Sequence, residues 1–425
     1  MRLLFLKLLQ LYNSAGKGLT LGKYLVLQLT AGKDDRNMKI LLFICGEGLG
    51  HTSRCLALGK EFLAAGHEVS FGAYGYSREL VRKTGYSAWE IQPEIRLIGE
   101  TGIFDIGKSI KETLRNLSPV GFRKLLKLIE VLEPDVVLSD GYYSGILAAR
   151  SRKVPVYFIG HQFNMEEFFQ KKGPLLAVAG KLVRRFYNYI FSSVDGIMVP
   201  DYPLPYSVNR RNFTIPRALN PNIFFSGPLI RSRYREVEAK AFRHPNVLST
   251  IGAFGYRAAI FRKVLEAAKL DPDIHYTFIA GPGIVPEQFP EIPENVEFTG
   301  FTDNPFPYYR GSDLVITAGG HGTIMESLAF GLPVLSFPDE KHTEQENNAT
   351  VLEDAGYGKR MSYLTRPEVI LACIREVLED ENYRRKTRRL MELAEVLDGP
   401  AAVRKLLEEK FGERSAGKEN SKEET

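Results

Sequence analysis

The stretch from Leu314 to Ala349, LVITAGGHGTIMESLAFGLPVLSFPDEKHTEQENNA, constrains the fold more than any other part of the chain. An apolar run, Leu314 to Thr317, leads into a turn of small residues, Ala318-Gly319-Gly320. A helix is expected from His321-Gly322-Thr323 to Gly331. Pro333 opens a second apolar strand, Val334 to Phe337, and another helix is expected near Thr343. Strand, glycine turn, helix, strand, helix is a parallel α/β unit whose first turn is stripped of side chains. Bare backbone at a helix start admits an anion to the unsatisfied N–H groups, where the dipole places about half a positive charge. Thr323 adds a hydroxyl, and Glu326, three residues on, shares its helix face. A carboxylate behind a phosphate site suits ribose hydroxyls. Glu344 and Gln345 on the next helix offer further polar groups to a hydroxyl-rich ligand, so the stretch reads as a nucleotide-sugar site. The competing reading is that the glycines serve only close packing.

Three motifs carry a resemblance to a known family: Gly319-Gly320-x-x-Thr323-x-x-Glu326, Gly331-x-Pro333 and Glu344-Gln345-x-x-Asn348-Ala349. They resemble the donor half of the two-domain GT-B glycosyltransferases, in the branch of the lipid II-forming N-acetylglucosaminyltransferase and the plant galactolipid synthases. The resemblance implies two Rossmann-like parallel α/β domains facing a cleft. It implies that the turn Gly319, Gly320, His321, Gly322 and Thr323 holds a diphosphate, Glu326 ribose, and the Glu344-Gln345 pair the sugar. The chain departs from the plant secondary-metabolite transferases, whose phosphate-binding histidine falls at Ala318 here; His321 is out of that register.

A chain of 425 residues suggests two domains with full cores. The net charge of +5 would invite an acidic partner, but the first 37 residues hold six basic residues against Asp34 and Asp35. The remainder is close to neutral, and nucleic acid is not expected as a partner. Three cysteines, Cys45, Cys55 and Cys373, fit no metal spacing and cannot all pair, which suits a reducing cytoplasm. Residues 1–37 read as a start placed too far upstream or an unstructured leader. A membrane-associating leader is the second reading, because MRLLFLKLLQLY is apolar yet too short to span a bilayer. A signal peptide would have only Ser14-Ala15-Gly16 as its weak cleavage site.

From Met38, KILLFICG reads as a central parallel strand. Gly46-Glu47-Gly48-Leu49-Gly50-His51 follows, then a helix from about Thr52 to Ala65. The dinucleotide fingerprint fails here: the third glycine is out of register and the next strand, EVSFGAYG, ends without a carboxylate, which disfavours a nicotinamide dehydrogenase. The loop instead resembles the acceptor side of the same family, with Gly48 and Gly50 in it. His51 is a suitable general base for an acceptor hydroxyl, with Glu47 as its rival; the alternative is that His51 caps the helix. VVLSD ends in Asp140, and VYFIG is followed by His161; both sit where open parallel sheets bind ligands. Asp140 resembles the aspartate that orients the basic histidine in related transferases, or it caps the next helix. His161 contacts acceptor or closes the strand end.

Residues 174–193 read as an amphipathic helix with Leu175, Val178, Ala179, Leu182, Val183, Phe186 and Ile190 facing the core. Its neighbours Lys171, Lys172, Lys181, Arg184 and Arg185, with Tyr187, Tyr189 and Phe191, also fit a peripheral membrane contact, as in the lipid-acceptor relatives. The expected organisation is an acceptor domain over 38–230, a charged linker over 231–244 and a donor domain over 245–395. A helix over 396–412 returns to the first domain, and a polar tail covers 413–425. Ile251-Gly252 resembles the loop facing the donor, and Phe301 and Thr302 fall where the family grips the base. No DxD motif stands at a strand end, since Asp271-Pro272-Asp273 looks like a turn, so no metal is implied. The reading is a glycosyltransferase moving a hexose or N-acetylhexosamine from a nucleoside diphosphate, UDP by family, to a hydroxyl acceptor, lipid-linked in the nearest branch. It would invert the anomeric centre, and the nucleotide-sugar would be substrate, with no cofactor. Two alternatives stay open: a UDP-N-acetylglucosamine 2-epimerase-like enzyme of the same fold, and a non-catalytic sugar-nucleotide-binding protein. The expected location is the cytoplasm, including the inner face of the membrane.

Overall fold

The computed structural model describes residues 37–420 except Glu47, 95–97, 101–102, 105, 117, 170–173, 216–218, 221, 253–256, 282–283 and 290. Glu47, the rival base, therefore lies outside the described residues, as do Lys171 and Lys172.

Two parallel sheets form the frame. The first holds β1 (Lys39–Ile44), β2 (Glu68–Ala73), β3 (Ala88–Glu90), β4 (Val136–Asp140), β5 (Val156–Ile159), β6 (Gly196–Val199) and β7 (Ile223–Phe225), in the order β3-β2-β1-β4-β5-β6-β7. The second holds β8 (Asn246–Thr250), β9 (His275–Ile279), β10 (Val296–Thr299), β11 (Leu314–Thr317), β12 (Val334–Ser336) and β13 (Gly358–Arg360), in the order β10-β9-β8-β11-β12-β13. In both, the order reverses beside the first strand, which opens a crevice beyond the strand ends there. Ile40 to Ile44 are buried throughout, as expected for a strand covered on both faces. The helices that matter below are α1 (Leu49–Ala64), α2 (Tyr143–Ser151), α3 (Pro174–Ser193), α4 (Ala258–Ala268), α5 (His321–Ala329), α6 (Thr343–Ala355), α7 (Glu381–Leu397) and α8 (Gly399–Asn420).

The two halves are packed against each other. Tyr202 and Val208 of the first half share an apolar cluster with Ile324 and Leu328 of α5 and Leu390 and Leu397 of α7. Val403 and Leu407 of α8 lie in the core of the first half beside Leu42 and Phe62, and Arg404 reaches Glu61 of α1 at 2.8 Å. The helix α8 runs on to Asn420, so the first residues of the expected polar tail are helical.

The apolar stripe expected to bury α3 is covered only in part: Ile190 is buried and Val183 packs against the core, while Leu175 and Ala179 lie outside the residues whose side chains are described. Val178, Leu182 and Phe186 are exposed, at 56%, 66% and 42%, while Tyr187, Ile190 and Phe191 are buried. The docked face is chosen by rings: Tyr187 packs edge-on to Tyr143 at 5.0 Å and Phe191 lies 5.5 Å from Phe158. Among the described residues, no helix is long and apolar enough to cross a membrane.

Candidate active site

The site is built where α1 and α5 begin. Neither helix has a side chain capping its first turn; their N-cap residues are Gly48 and Gly320. The two starts meet across the halves: a Cβ on Gly322 would stand 3.0 Å from the Gly50 Cα. The bareness of Gly50 and Gly322 thus serves first to let two helix N-termini approach. The first-turn N–H groups of both helices carry no side-chain cap, an arrangement suited to an anion.

Beside that contact lies an open cleft lined from both halves, including Gly50, Ser53, Gly252, Phe301, Thr302, Gly322, Thr323 and Glu326. Glu326 is bracketed: its Oε1 accepts from Ser53 Oγ of α1 at 2.9 Å and its Oε2 from the Tyr309 hydroxyl at 3.3 Å. Burial pushes its carboxyl up, against the pull of Arg231, Ser53 and Tyr309. Gly252 adopts a φ of +72°, a left-handed turn that favours glycine. Phe301 meets Tyr76 of the first half edge-on at 5.6 Å, and Thr302 Oγ1 accepts from the Asn304 N–H at 3.2 Å.

A second group forms at the ends of β1, β4 and β5. The β1–β4 register pairs Ile44 with Asp140, which brings the loop after β1 against the end of β4. His51 Nδ1 consequently lies 2.7 Å from Asp140 Oδ1. Asp140 does not cap α2; Glu94 does that, accepting from the Tyr143 and Ser144 N–H groups at 2.7 and 2.8 Å. Arg54, one turn after His51, binds Asp140 with two bonds, Nε to Oδ2 at 3.0 Å and Nη2 to Oδ1 at 2.6 Å. Burial alone would raise the Asp140 carboxyl, but Arg54 and His51 outweigh it and hold it far below the usual carboxylate range.

His161 joins this group to the second half. Its Nδ1 is 3.4 Å from Arg54 Nη1 and its Nε2 is 3.3 Å from Glu344 Oε1. Burial and the His321 ring, stacked on it at 4.3 Å, push His161 down to about 3. Glu344 also accepts from Asn348 Nδ2 at 2.8 Å. Burial would raise its carboxyl, yet the hydrogen bond from His161 and the surrounding imidazoles hold it far below the ordinary value.

The donor residues expected from the glycine-turn stretch therefore divide. Thr323, Glu326 and Gly322 line the cleft with Gly252, Phe301 and Thr302. Gly319 does not belong to that lining: with φ at +81°, a Cβ there would stand 2.7 Å from Ser336 Oγ, so its bareness serves packing on β12. Gly320 has open space where a Cβ would be. The His321 imidazole is buried between the halves, with Nε2 3.5 Å from Asp201 Oδ2, and offers a ligand only its backbone. Gln345 is buried, its Oε1 accepting from the Asp339 N–H at 2.9 Å. Of the acceptor residues, Gly50 lines the cleft shared with Glu326, Gly48 stands in open space with φ at +92°, and His161 is an interface residue. Asp271, of the suspected turn, pairs with Arg375 at 2.8 Å and receives the Asp273 N–H at 3.1 Å. No motif in the sequence marks Ser53, Arg54 or Tyr309. The i+3 spacing of Arg54 from His51 was a usable signal; nothing local marks Tyr309, which the β11 side of the fold brings to Glu326.

Comparison with known proteins bears on this geometry. Residues 38–269 match a model described as glycosyl transferase family 1, and residues 258–398 match the glycosyltransferase family 28 C-terminal domain. The chain is 82% identical over 373 residues to an uncharacterized glycosyltransferase of Methanosarcina mazei, covering 88% of this chain and 99% of that protein. It is 24% identical to the UDP-N-acetylglucosamine--N-acetylmuramyl-(pentapeptide) pyrophosphoryl-undecaprenol N-acetylglucosamine transferase of Shouchella clausii, over 76% of this chain and 86% of that one. Among solved structures it is similar to the glycotransferase of kitacinnamycin, with a TM-score of 0.67 at 19% identity, over 88% of this chain and 99% of that one. With its two facing parallel-sheet domains and these matches spanning both of them, the chain belongs to the GT-B glycosyltransferases.

Proposed function

We propose that this enzyme transfers a hexose or N-acetylhexosamine from UDP to a hydroxyl acceptor, inverting the anomeric centre without a metal. The observation that carries the reading is Glu326, a half-buried carboxyl held between Ser53 and Tyr309 in a cleft that also presents Thr323 and an uncapped helix start. A diphosphate laid along that start brings its ribose to Glu326 and its base toward Phe301 and Thr302. The Shouchella clausii relative is named for a UDP-N-acetylglucosamine substrate, which supports UDP as the carrier. His51 follows Gly50 of the cleft wall and is held by Asp140 at the end of β4, and in this reading it serves the sugar end of the donor. In the reaction the acceptor oxygen attacks the anomeric carbon and its proton passes to His51. The bond to the diphosphate oxygen breaks, and the departing charge rests on the α5 N–H groups and the Thr323 hydroxyl.

A lipid-linked acceptor, met at the inner face of a cytoplasmic membrane, is supported by α3. Val178, Leu182, Phe186 and Tyr189 are exposed beside exposed Lys181, Arg184 and Arg185. Apolar side chains flanked by cations suit an anionic bilayer surface. Calorimetry with UDP, thymidine diphosphate and UDP-N-acetylglucosamine tests the donor. Binding of UDP compounds, abolished or weakened by Glu326→Ala, supports the reading, and absence of any nucleotide binding sinks it. Product formed from UDP-N-acetylglucosamine alone would instead establish an epimerase.

A further inference from the structure

We infer that Ser53, a residue of the first half, takes part in choosing the donor: it positions Glu326 for the vicinal diol of a ribose, and thereby for a ribonucleotide over a 2′-deoxyribonucleotide. The inference rests on the reading of Glu326 as the ribose ligand.

The contact follows from how the two helix starts meet. Gly50 and Gly322 let α1 and α5 approach, since a Cβ on Gly322 would stand 3.0 Å from the Gly50 Cα. Ser53 lies three residues beyond Gly50, and Glu326 four beyond Gly322. Each therefore shares a helix face with the glycine before it. One turn past the crossing the two side chains meet, with Ser53 Oγ donating to Glu326 Oε1 at 2.9 Å. The other oxygen, Oε2, accepts from the Tyr309 hydroxyl at 3.3 Å. Tyr309 belongs to the short helix Phe306–Arg310 of the second half. Its ring is buried, 5.9 Å from that of Phe330 and 6.4 Å from that of Phe306 between centroids. Each half thus holds one oxygen of the carboxylate.

The last torsion of a glutamate side chain is broad, so the plane of its carboxylate is set by what binds the oxygens. Tyr309 fixes one oxygen, and Ser53 fixes the second and with it the plane. An ionised carboxylate offers about four lone-pair sites. Ser53 and Tyr309 use one on each oxygen, which leaves one on each. Two neighbouring hydroxyls match that remaining pair, whereas a 2′-deoxyribose fills only half of it. A site built to receive a hydroxyl discriminates against the analogue that lacks it. Ser53, Tyr309 and Glu326 all line the same cleft, which keeps the remaining lone pairs within reach of a ligand there. Among the described residues no other side chain hydrogen-bonds either oxygen. The grip on ribose is therefore complete only while α1 rests against α5, and the first half contributes to donor selectivity through Glu326.

Calorimetry of the full chain with UDP and with 2′-deoxyuridine diphosphate tests this. The wild type should prefer UDP. In Ser53→Ala the affinity for UDP should fall about 2–10-fold, the range for one net hydrogen bond. The affinity for 2′-deoxyuridine diphosphate should fall less, so the preference narrows. Ser53→Thr keeps the hydroxyl and should restore it. Alanine is the best helix former, so the fold tolerates it at this half-buried helix position. Tyr309→Phe should narrow the preference in the same way from the other oxygen. A preference unchanged in Ser53→Ala overturns the proposal, because a merely structural role weakens both nucleotides alike. Tighter UDP binding in Ser53→Ala also overturns it, since Ser53 would then compete with ribose. Unchanged UDP affinity in Glu326→Ala would overturn the ribose reading instead, a separate outcome.

Discussion

The two domains share a strand order over six strands, the first adding β7 at its edge, and open the same crevice, yet they fill it differently. At the head of the first sheet the loop after β1 and the ends of β4 and β5 deliver His51, Asp140, Arg54 and His161, a set of ionisable groups. At the head of the second, β8 and β11 deliver glycines, Thr323 and one carboxylate, Glu326. In the proposed reading, one crevice moves a proton and the other holds phosphate and ribose. The shared topology supplies a place, and the side chains at the strand ends decide its chemistry.

The strongest way to break that division is His51→Ala. Turnover is expected to fall about 10²–10⁴-fold, while calorimetry shows donor affinity unchanged. Loss of donor binding in this variant would mean that the halves do not divide the work. Next comes Glu326→Ala, expected to weaken donor binding by about 1.5–3 kcal/mol, the range for hydrogen bonds to a charged group. Unchanged affinity in a folded variant would remove the ribose role.

The interface that joins the two crevices should respond to acid. In the unfolded chain His161 takes a proton near pH 6.5, but in the fold only near about 3, because burial and His321 oppose its charge. Between those values the unfolded state binds more protons. Stability is therefore full above about pH 6.5 and declines as pH falls toward about 3. Tm measured from about pH 7 down to about pH 4.5 should fall, and His161→Gln should flatten the dependence. A Tm that rises on acidification contradicts this burial of a neutral ring. The smallest effect is expected for Gly322→Ala. Its methyl would meet the Gly50 backbone at 3.0 Å, so the helix starts must part by a few tenths of an ångström, at about 1 kcal/mol. An unchanged Tm would show the junction to be looser than its geometry.

Much of this could be read along the chain. The continuous apolar runs of β1 and β11 marked buried parallel strands, and the i+3 step from Thr323 to Glu326 placed both on one face. The strand-end positions of Asp140 and His161 marked them as crevice residues. The phase of α3 could not be read, because Leu182 and Phe191 are both apolar and only their neighbours determine which is covered. Nor could the use of Gly319, whose missing side chain is explained by Ser336 on the adjacent strand.

What the sequence determined alone is local: period, turn chemistry and the spacing within one helix, since each depends on atoms a few residues apart. What only the tertiary structure decided is which distant groups meet. His51 finds Asp140 across 89 positions and Glu326 finds Ser53 across 273. Those encounters depend on β-strand register and on the closure of the two domains, and no stretch of chain contains either.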